Sequence, residues 1–96
     1  MTSIFVCGDI IHHVNQGPFI GEKLSRLIQR ADFSIGNLEG VELNSDAKTN
    51  SPVQLPDTIK YLHEVGFNMM LLANNHITDQ GINLYQDTVA KLKKYH

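Results

Sequence analysis

The chain has 96 residues, eight Lys and Arg against ten Asp and Glu, a formal charge of −2 and 42% hydrophobic residues, which fits one globular domain or part of one. No basic cluster interleaves with aromatics, which argues against a nucleic-acid surface, and no apolar run approaches the roughly 18 residues of a membrane-spanning helix. One cysteine, Cys7, excludes an intrachain disulfide framework.

The first predicted strand covers about residues 3–8, where Ile4-Phe5-Val6-Cys7 runs into Gly8-Asp9. Its start so close to Met1 leaves no room for a signal peptide, so the chain as given is expected to be soluble and cytoplasmic. Cys7, inside an apolar strand with nothing electropositive beside it, reads as a buried, inert thiol. Asp9 supplies a carboxylate just past the strand, and His12 and His13 follow as possible nitrogen donors.

A helix is expected after Gly17-Pro18, with Phe19, Ile20, Leu24, Leu27, Ile28 and Ala31 at helical spacing. The second strand, about 33–38, ends in Asn37-Leu38-Glu39. Residues two apart in an extended chain share a face, so the amide and the carboxylate point the same way. The stretch from Gly40 to Leu55 is polar and aperiodic, and reads as structureless, of the kind often functional or mobile.

The second helix follows Pro56, with Asp57 and Thr58 as capping candidates, Ile59, Leu62 and Val65 on one face and Gly66 as its stop. His63 is expected to face solvent. The third strand, about 67–73, breaks abruptly into Asn74-Asn75-His76 with Asp79 beyond. His76 is a candidate ligand, general acid or donor to a transition state; Asp79 orients it or caps the last helix. That helix is expected from about residue 81 to the end, with Leu84, Tyr85, Thr88, Val89, Leu92 and Tyr95 as its stripe. Its tail cations Lys91, Lys93 and Lys94 suit the helix dipole.

The fold class that results is α/β, β-α-β-loop-α-β-α with parallel strands and right-handed crossovers. The strands are apolar on both faces, as in a sheet covered by helices or by a second sheet. In such sheets ligands collect at the carboxyl ends of strands, where all three polar segments fall. Three strands make a narrow sheet whose open edge invites self-association. The chain therefore reads as the amino-terminal part of a larger domain or as a unit completed by a partner.

Phe5-Val6-Cys7-Gly8-Asp9, Ala31 through Gly40 containing Asn37-Leu38-Glu39-Gly40, and Gly66-Phe67 through Ala73-Asn74-Asn75-His76-Ile77-Thr78-Asp79-Gln80-Gly81 together resemble the bacterial capsule-synthesis proteins of the CapA, poly-γ-glutamate type, a branch of the calcineurin-like metallophosphoesterases. The resemblance spans nearly the whole chain, with its motifs in order. It implies an αββα sandwich whose strand ends hold one or two divalent metals (Mn, Mg, Fe or Zn) and act on a phosphoester or polymer-related substrate. Asp9 matches the first metal-binding aspartate, Glu39 with Asn37 the segment of a bridging carboxylate, Asn75 the asparagine ligand and His76 the histidine that assists the leaving group, with Asp79 beside it. Two departures stand out. The wider superfamily carries a histidine two residues after its first aspartate, where this chain has Ile11, with His12 one residue late. The later histidine-containing segments that complete the metal site have no counterpart here, so the resemblance implies an incomplete metal site. A non-catalytic scaffold that keeps the family fold is the alternative expectation, and a flavodoxin-like domain is disfavoured because Gly8-Asp9-Ile10-Ile11 lacks a phosphate-loop glycine pattern.

Overall fold

The structure, a computed structural model, describes residues 1–12, 19–45 and 49–95. Strands and helices alternate as β1 Ile4–Ile10, α1 Glu22–Arg30, β2 Phe33–Leu38, α2 Thr58–Val65, β3 Met69–Leu71 and α3 Ile82–Tyr95. The strands are parallel in the order β1-β2-β3, so the sheet is open and both outer strands are edges. This is the α/β architecture the sequence predicts.

Both crossovers step the same way across the sheet, so the right-handed rule sets their helices on one face. The core lies there. Ile28 of α1 and Ile59, Leu62 and Val65 of α2 pack with Ile10, Leu38 and Phe67, and Leu92 and Tyr95 of α3 close the margin. Alternation along the strands sends Ile4 and Val6, Phe33 and Ile35, and Met69 and Leu71 to the opposite face. All of these but Ile35 leave half or more of their surface exposed. The strands are apolar on both sides, as expected, yet among the described residues helices cover only one.

Several boundaries differ from the sequence expectation. β1 continues to Ile10, and β3 shortens to three residues, with Phe67 entering the core just ahead of it. α1 starts at Glu22; the expected start after Gly17-Pro18 lies outside the described residues, and Phe19 and Ile20 pack on the core without being helical. Of its predicted stripe only Ile28 is buried, while Leu24 and Leu27 are exposed. His63 is exposed, as expected, with its ring 5.5 Å from that of Tyr95. Burial pushes the half-buried Cys7 thiol up, away from the thiolate, in keeping with an inert side chain.

The segment after β2 is not structureless. Val41, Leu43 and Val53 are buried, Leu43 donates its N–H to the Gln54 carbonyl at 2.9 Å, and Gln54 donates to Val41 at 2.8 Å. Isolated bridge pairing of Glu42 with Gln54 holds the two arms together, while Asp46, in the same segment, lies outside the described residues. Two of its polar residues, Glu42 and Gln54, are buried and brace the segment, while Asn44, Ser45, Thr49 and Asn50 are exposed.

Gly40 makes the turn possible. Its φ of +72° is strained for any residue with a Cβ, and a Cβ there would stand 2.0 Å from the Pro52 carbonyl oxygen, a backbone atom that cannot swing aside. Gly40→Ala is therefore expected to destabilise the fold by about 2–4 kcal/mol. Urea unfolding checks this, and an unchanged midpoint would contradict it.

Candidate functional site

The site begins with an irregularity in β1. Val6 pairs with Ile35, but the next pair is Asp9 with Asn37, so β1 advances three residues while β2 advances two. This is a β-bulge, and an extra residue reverses which side of the sheet the following side chains face. Without it Asp9 would share the helix-covered face with Phe5 and Cys7. With it, Asp9 joins Asn37 on the open face, and Ile10 drops beside Leu38 into the core.

Asn37 then gathers the two carboxylates. Its Nδ2 donates to Asp9 Oδ1 at 2.7 Å and to Glu39 Oε2 at 2.9 Å. Asp9 is exposed, whereas Glu39 is only 6% exposed. Among the described residues no Lys, Arg or His forms an ion pair with either carboxylate. A buried carboxylate is ordinarily paired with a cation or coordinated to a metal, and here a neutral amide is its only side-chain partner among the described residues.

The third segment divides its labour between two adjacent amides. Asn74 is structural. Its Nδ2 donates to the Leu38 carbonyl at 2.8 Å and weakly to Asn37 Oδ1 at 3.4 Å, while its Oδ1 accepts the N–H groups of Gly40 at 3.3 Å and His76 at 3.2 Å. It fastens the end of β3 to the end of β2 and seats His76. Asn75 is exposed and its side chain has no hydrogen-bond partner among the described residues. Of the sequence-predicted set, Asp9, Asn37 and Glu39 are brought into direct contact, His76 is connected to them through Asn74, and Asn75 stands beside the cluster unengaged.

Asp79 orients His76 instead of capping α3. Its Oδ2 lies 2.6 Å from His76 Nδ1, and the helix starts at Ile82 with the Gly81 carbonyl accepting the Tyr85 N–H. The bond fixes the ring with Nδ1 toward the carboxylate and leaves Nε2 for other work. It also holds the Asp79 carboxyl below the usual carboxylate range.

Three braces were not read from the sequence. Gln54 is fully buried, and its Nε2 donates to the carbonyls of Ile10 (2.6 Å) and Glu39 (2.7 Å), while its Oε1 accepts the His12 N–H at 2.8 Å. One amide thus holds together the ends of β1 and β2, each next to a candidate ligand. Glu42 caps α2 where Asp57 and Thr58 were expected to: its Oε1 accepts the Ile59 N–H at 2.7 Å and its Oε2 pairs with Lys91 of α3 at 2.9 Å. Asp57 instead adopts a left-handed conformation and makes no side-chain cap. His12 turns away from the cluster, its Nδ1 3.0 Å from Thr58 Oγ1 and its ring stacked on Phe19. Because the Thr58 hydroxyl donates to the Leu55 carbonyl, the His12 ring nitrogen is the donor in that pair. His13 lies outside the described residues.

The fold is an open parallel α/β sheet with carboxylates and amides gathered at its strand ends. The model of the bacterial capsule synthesis protein family PGA_cap matches residues 3–96, and the chain belongs to that family. Among its relatives, the capsule biosynthesis protein CapA of Bacillus anthracis is 30% identical over 83 residues, which cover 79% of this chain and 20% of that protein. The chain thus spans about a fifth of the length of the curated relative it matches.

Two measurements test these contacts. Gln54→Ala leaves the Glu39 carbonyl and the His12 N–H without their partner, and is expected to cost about 2–4 kcal/mol in chemical unfolding; a loss below about 1 kcal/mol would refute the brace. Asp79, with its native pKa depressed, contributes stability above the ordinary Asp value near 3.9, and that contribution disappears as pH falls through the lower native pKa. Its NMR titration midpoint should lie below that ordinary value and rise in His76→Ala, and an unmoved midpoint would show that the imidazole is not the cause.

Proposed function

We propose that Asp9, Asn37 and Glu39 form the protein-borne part of a divalent-cation site, and that the chain is the amino-terminal part of a metallophosphoesterase-like domain working in capsule or poly-γ-glutamate synthesis. The observation that carries this reading is the convergence of two carboxylates on the Asn37 amide with no cation paired to either. An exposed carboxylate beside a buried one offers oxygen donors that suit a hard cation such as Mn²⁺ or Mg²⁺. Among the described residues no three His, Cys, Asp or Glu side chains gather as a metal-holding group, so the donors fit one weakly held, largely hydrated ion.

In this reading Asp9 and Glu39 would bind the cation directly, the Asn37 amide would turn to offer its oxygen, and Asn75 would be a further donor, following Asn74, which is bonded to Asn37 and Leu38. The ion, when bound, would polarise a phosphoester oxygen and acidify a water. His76, its ring held through Nδ1 by Asp79, would use Nε2 to hand a proton to a departing oxygen. Substrate would be a phosphoester or a polymer-related anion. A second reading, a non-catalytic assembly domain of the same family, is favoured by the uncovered sheet face.

Calorimetric titration with Mn²⁺ separates the two. Wild type is expected to bind with a millimolar Kd, about −4 kcal/mol. Asp9→Ala and Glu39→Gln should each weaken binding about tenfold or more, and His76→Ala should leave it unchanged. Identical isotherms for wild type and an Asp9→Ala/Asn75→Ala double variant would remove the metal reading and leave the scaffold.

A further inference from the structure

We infer that Thr49 and Ser51 clamp the turn that carries His76, and that both are positioning residues for the His76–Asp79 pair. The assignment deepens the reading of His76 as a proton donor and rests on it for its purpose. Thr49 Oγ1 is the node. It accepts the Ser51 N–H at 3.1 Å and the side-chain Nε2 of Gln80 at 3.2 Å, so one hydroxyl joins the clamp to the residue after Asp79. The Ser51 side chain hydrogen-bonds Asp79 itself, beside the 2.6 Å contact of Asp79 Oδ2 with His76 Nδ1.

The turn needs this second hold. Its near end is fastened, since Asn74 ties it to the Leu38 carbonyl and the Gly40 N–H. Beyond His76 the main-chain bonds are local, Asp79 donating to the His76 carbonyl at 3.2 Å and Gly81 to that of Thr78 at 3.0 Å. The side chains of His76 and Asp79 are 33% and 30% exposed, so water competes for both partners and freeing them gains rotamer entropy. Further bonds are what hold such a pair in one geometry, and they come here from a segment 31 residues away in sequence.

The clamp is itself anchored at the carboxylate cluster. Gln54, three residues past Ser51, is fully buried and donates to the Ile10 and Glu39 carbonyls. Between them Val53 is buried, and Pro52, its φ fixed by its ring, sets its carbonyl against Gly40. A continuous path therefore runs from the backbone of Glu39 through Gln54 and Ser51 to Asp79 and the His76 ring. That path fixes the separation between the carboxylates and Nε2, and proton transfer works only within hydrogen-bond reach.

Heteronuclear NMR of the His76 ring without metal, at about pH 9, where histidine is ordinarily neutral, tests the assignment. Wild type should carry the ring proton on Nδ1, facing Asp79, with a resonance protected from solvent exchange. Thr49→Val and Ser51→Ala should each lose that protected resonance and move the ring shifts toward those of free imidazole, with the urea midpoint little changed. Ser51→Thr keeps the hydroxyl and should retain the wild-type spectrum. Gln80→Met cuts the link from the turn side, should move the ring the same way, and decides the matter where a clamp variant fails to fold. Ring shifts unchanged in a Thr49→Val/Ser51→Ala double variant, or displaced as far by Ser51→Thr as by Ser51→Ala, would overturn the clamp. A wild-type ring protonated on Nε2 would overturn it as well. Because no ion is present, this experiment and the Mn²⁺ titration fail separately.

Discussion

Between Val6 and Asp9 one additional residue enters β1 without a counterpart in β2, and the placement of Asp9 beside Asn37 depends on it. A strand alternates strictly, so its face assignment is inherited from the first residue to the last unless something resets it. The bulge is that reset. It lets Val6 and Asp9, three apart, share one side of the sheet, and lets Cys7 and Ile10 share the other. Gly8 sits in the bulge, and a Cβ added there would meet nothing within 4 Å, so the position is open to solvent and the irregularity is not forced by crowding. What favours it is the joint gain on both faces: Ile10 enters the core, and Asp9 comes within hydrogen-bond distance of Asn37.

The polar braces follow from the same thin architecture. At the carboxyl ends of the strands the chain leaves the sheet and its carbonyls lose ladder partners, even where Ile10 and Leu38 are buried in the core. Gln54 and Asn74 supply those partners from the side, and Glu42 supplies the cap that α2 lacks. No buried side-chain nitrogen or oxygen among the described residues is left without a hydrogen bond. A fully satisfied network of this kind resists displacement, because moving any one member strands a donor or acceptor at about 1–3 kcal/mol. Polar side chains therefore fasten the strand ends alongside the apolar packing of Ile10 and Leu38.

This explains what could be read from the sequence and what could not. Helix α2 was legible to the residue at its end, because Ile59, Leu62 and Val65 keep a helical period and Gly66 stops it. The pairing of Asn37 with Glu39 was legible because alternation is local. Asp9 was placed at the site by its position after a strand, but period-two counting alone would have put it on the wrong face; only the register reveals the bulge. Gln54 and Glu42 were hidden for a different reason. The partners of Gln54 lie 15 to 44 residues away in sequence and those of Glu42 lie 17 and 49 away, and a buried amide or carboxylate in a polar loop looks the same as a solvated one. Asp79 was read as a cap or an orienting group, and the choice turned on a three-residue offset from Ile82 that no pattern encodes.

The open face and the polar cluster are one surface, and that continuity bears on how strongly a cation can be held. Asp9 is exposed, so its attraction for an ion of unit charge 4 Å away is about 1 kcal/mol in a water-like medium and about 4 kcal/mol at the effective dielectric near a protein surface. Whatever covers Val6, Ile35 and Leu71 also walls the side of Asp9 and Asn37, since the register sets Asn37 directly beside Leu71. On the proposed cation reading, covering the face would strengthen the carboxylates' hold on the ion, and by reciprocity a bound ion would favour the covered state by the same factor. Glu39 is already buried. The asymmetry between the two carboxylates would make Asp9 the member whose contribution depends on what covers the face.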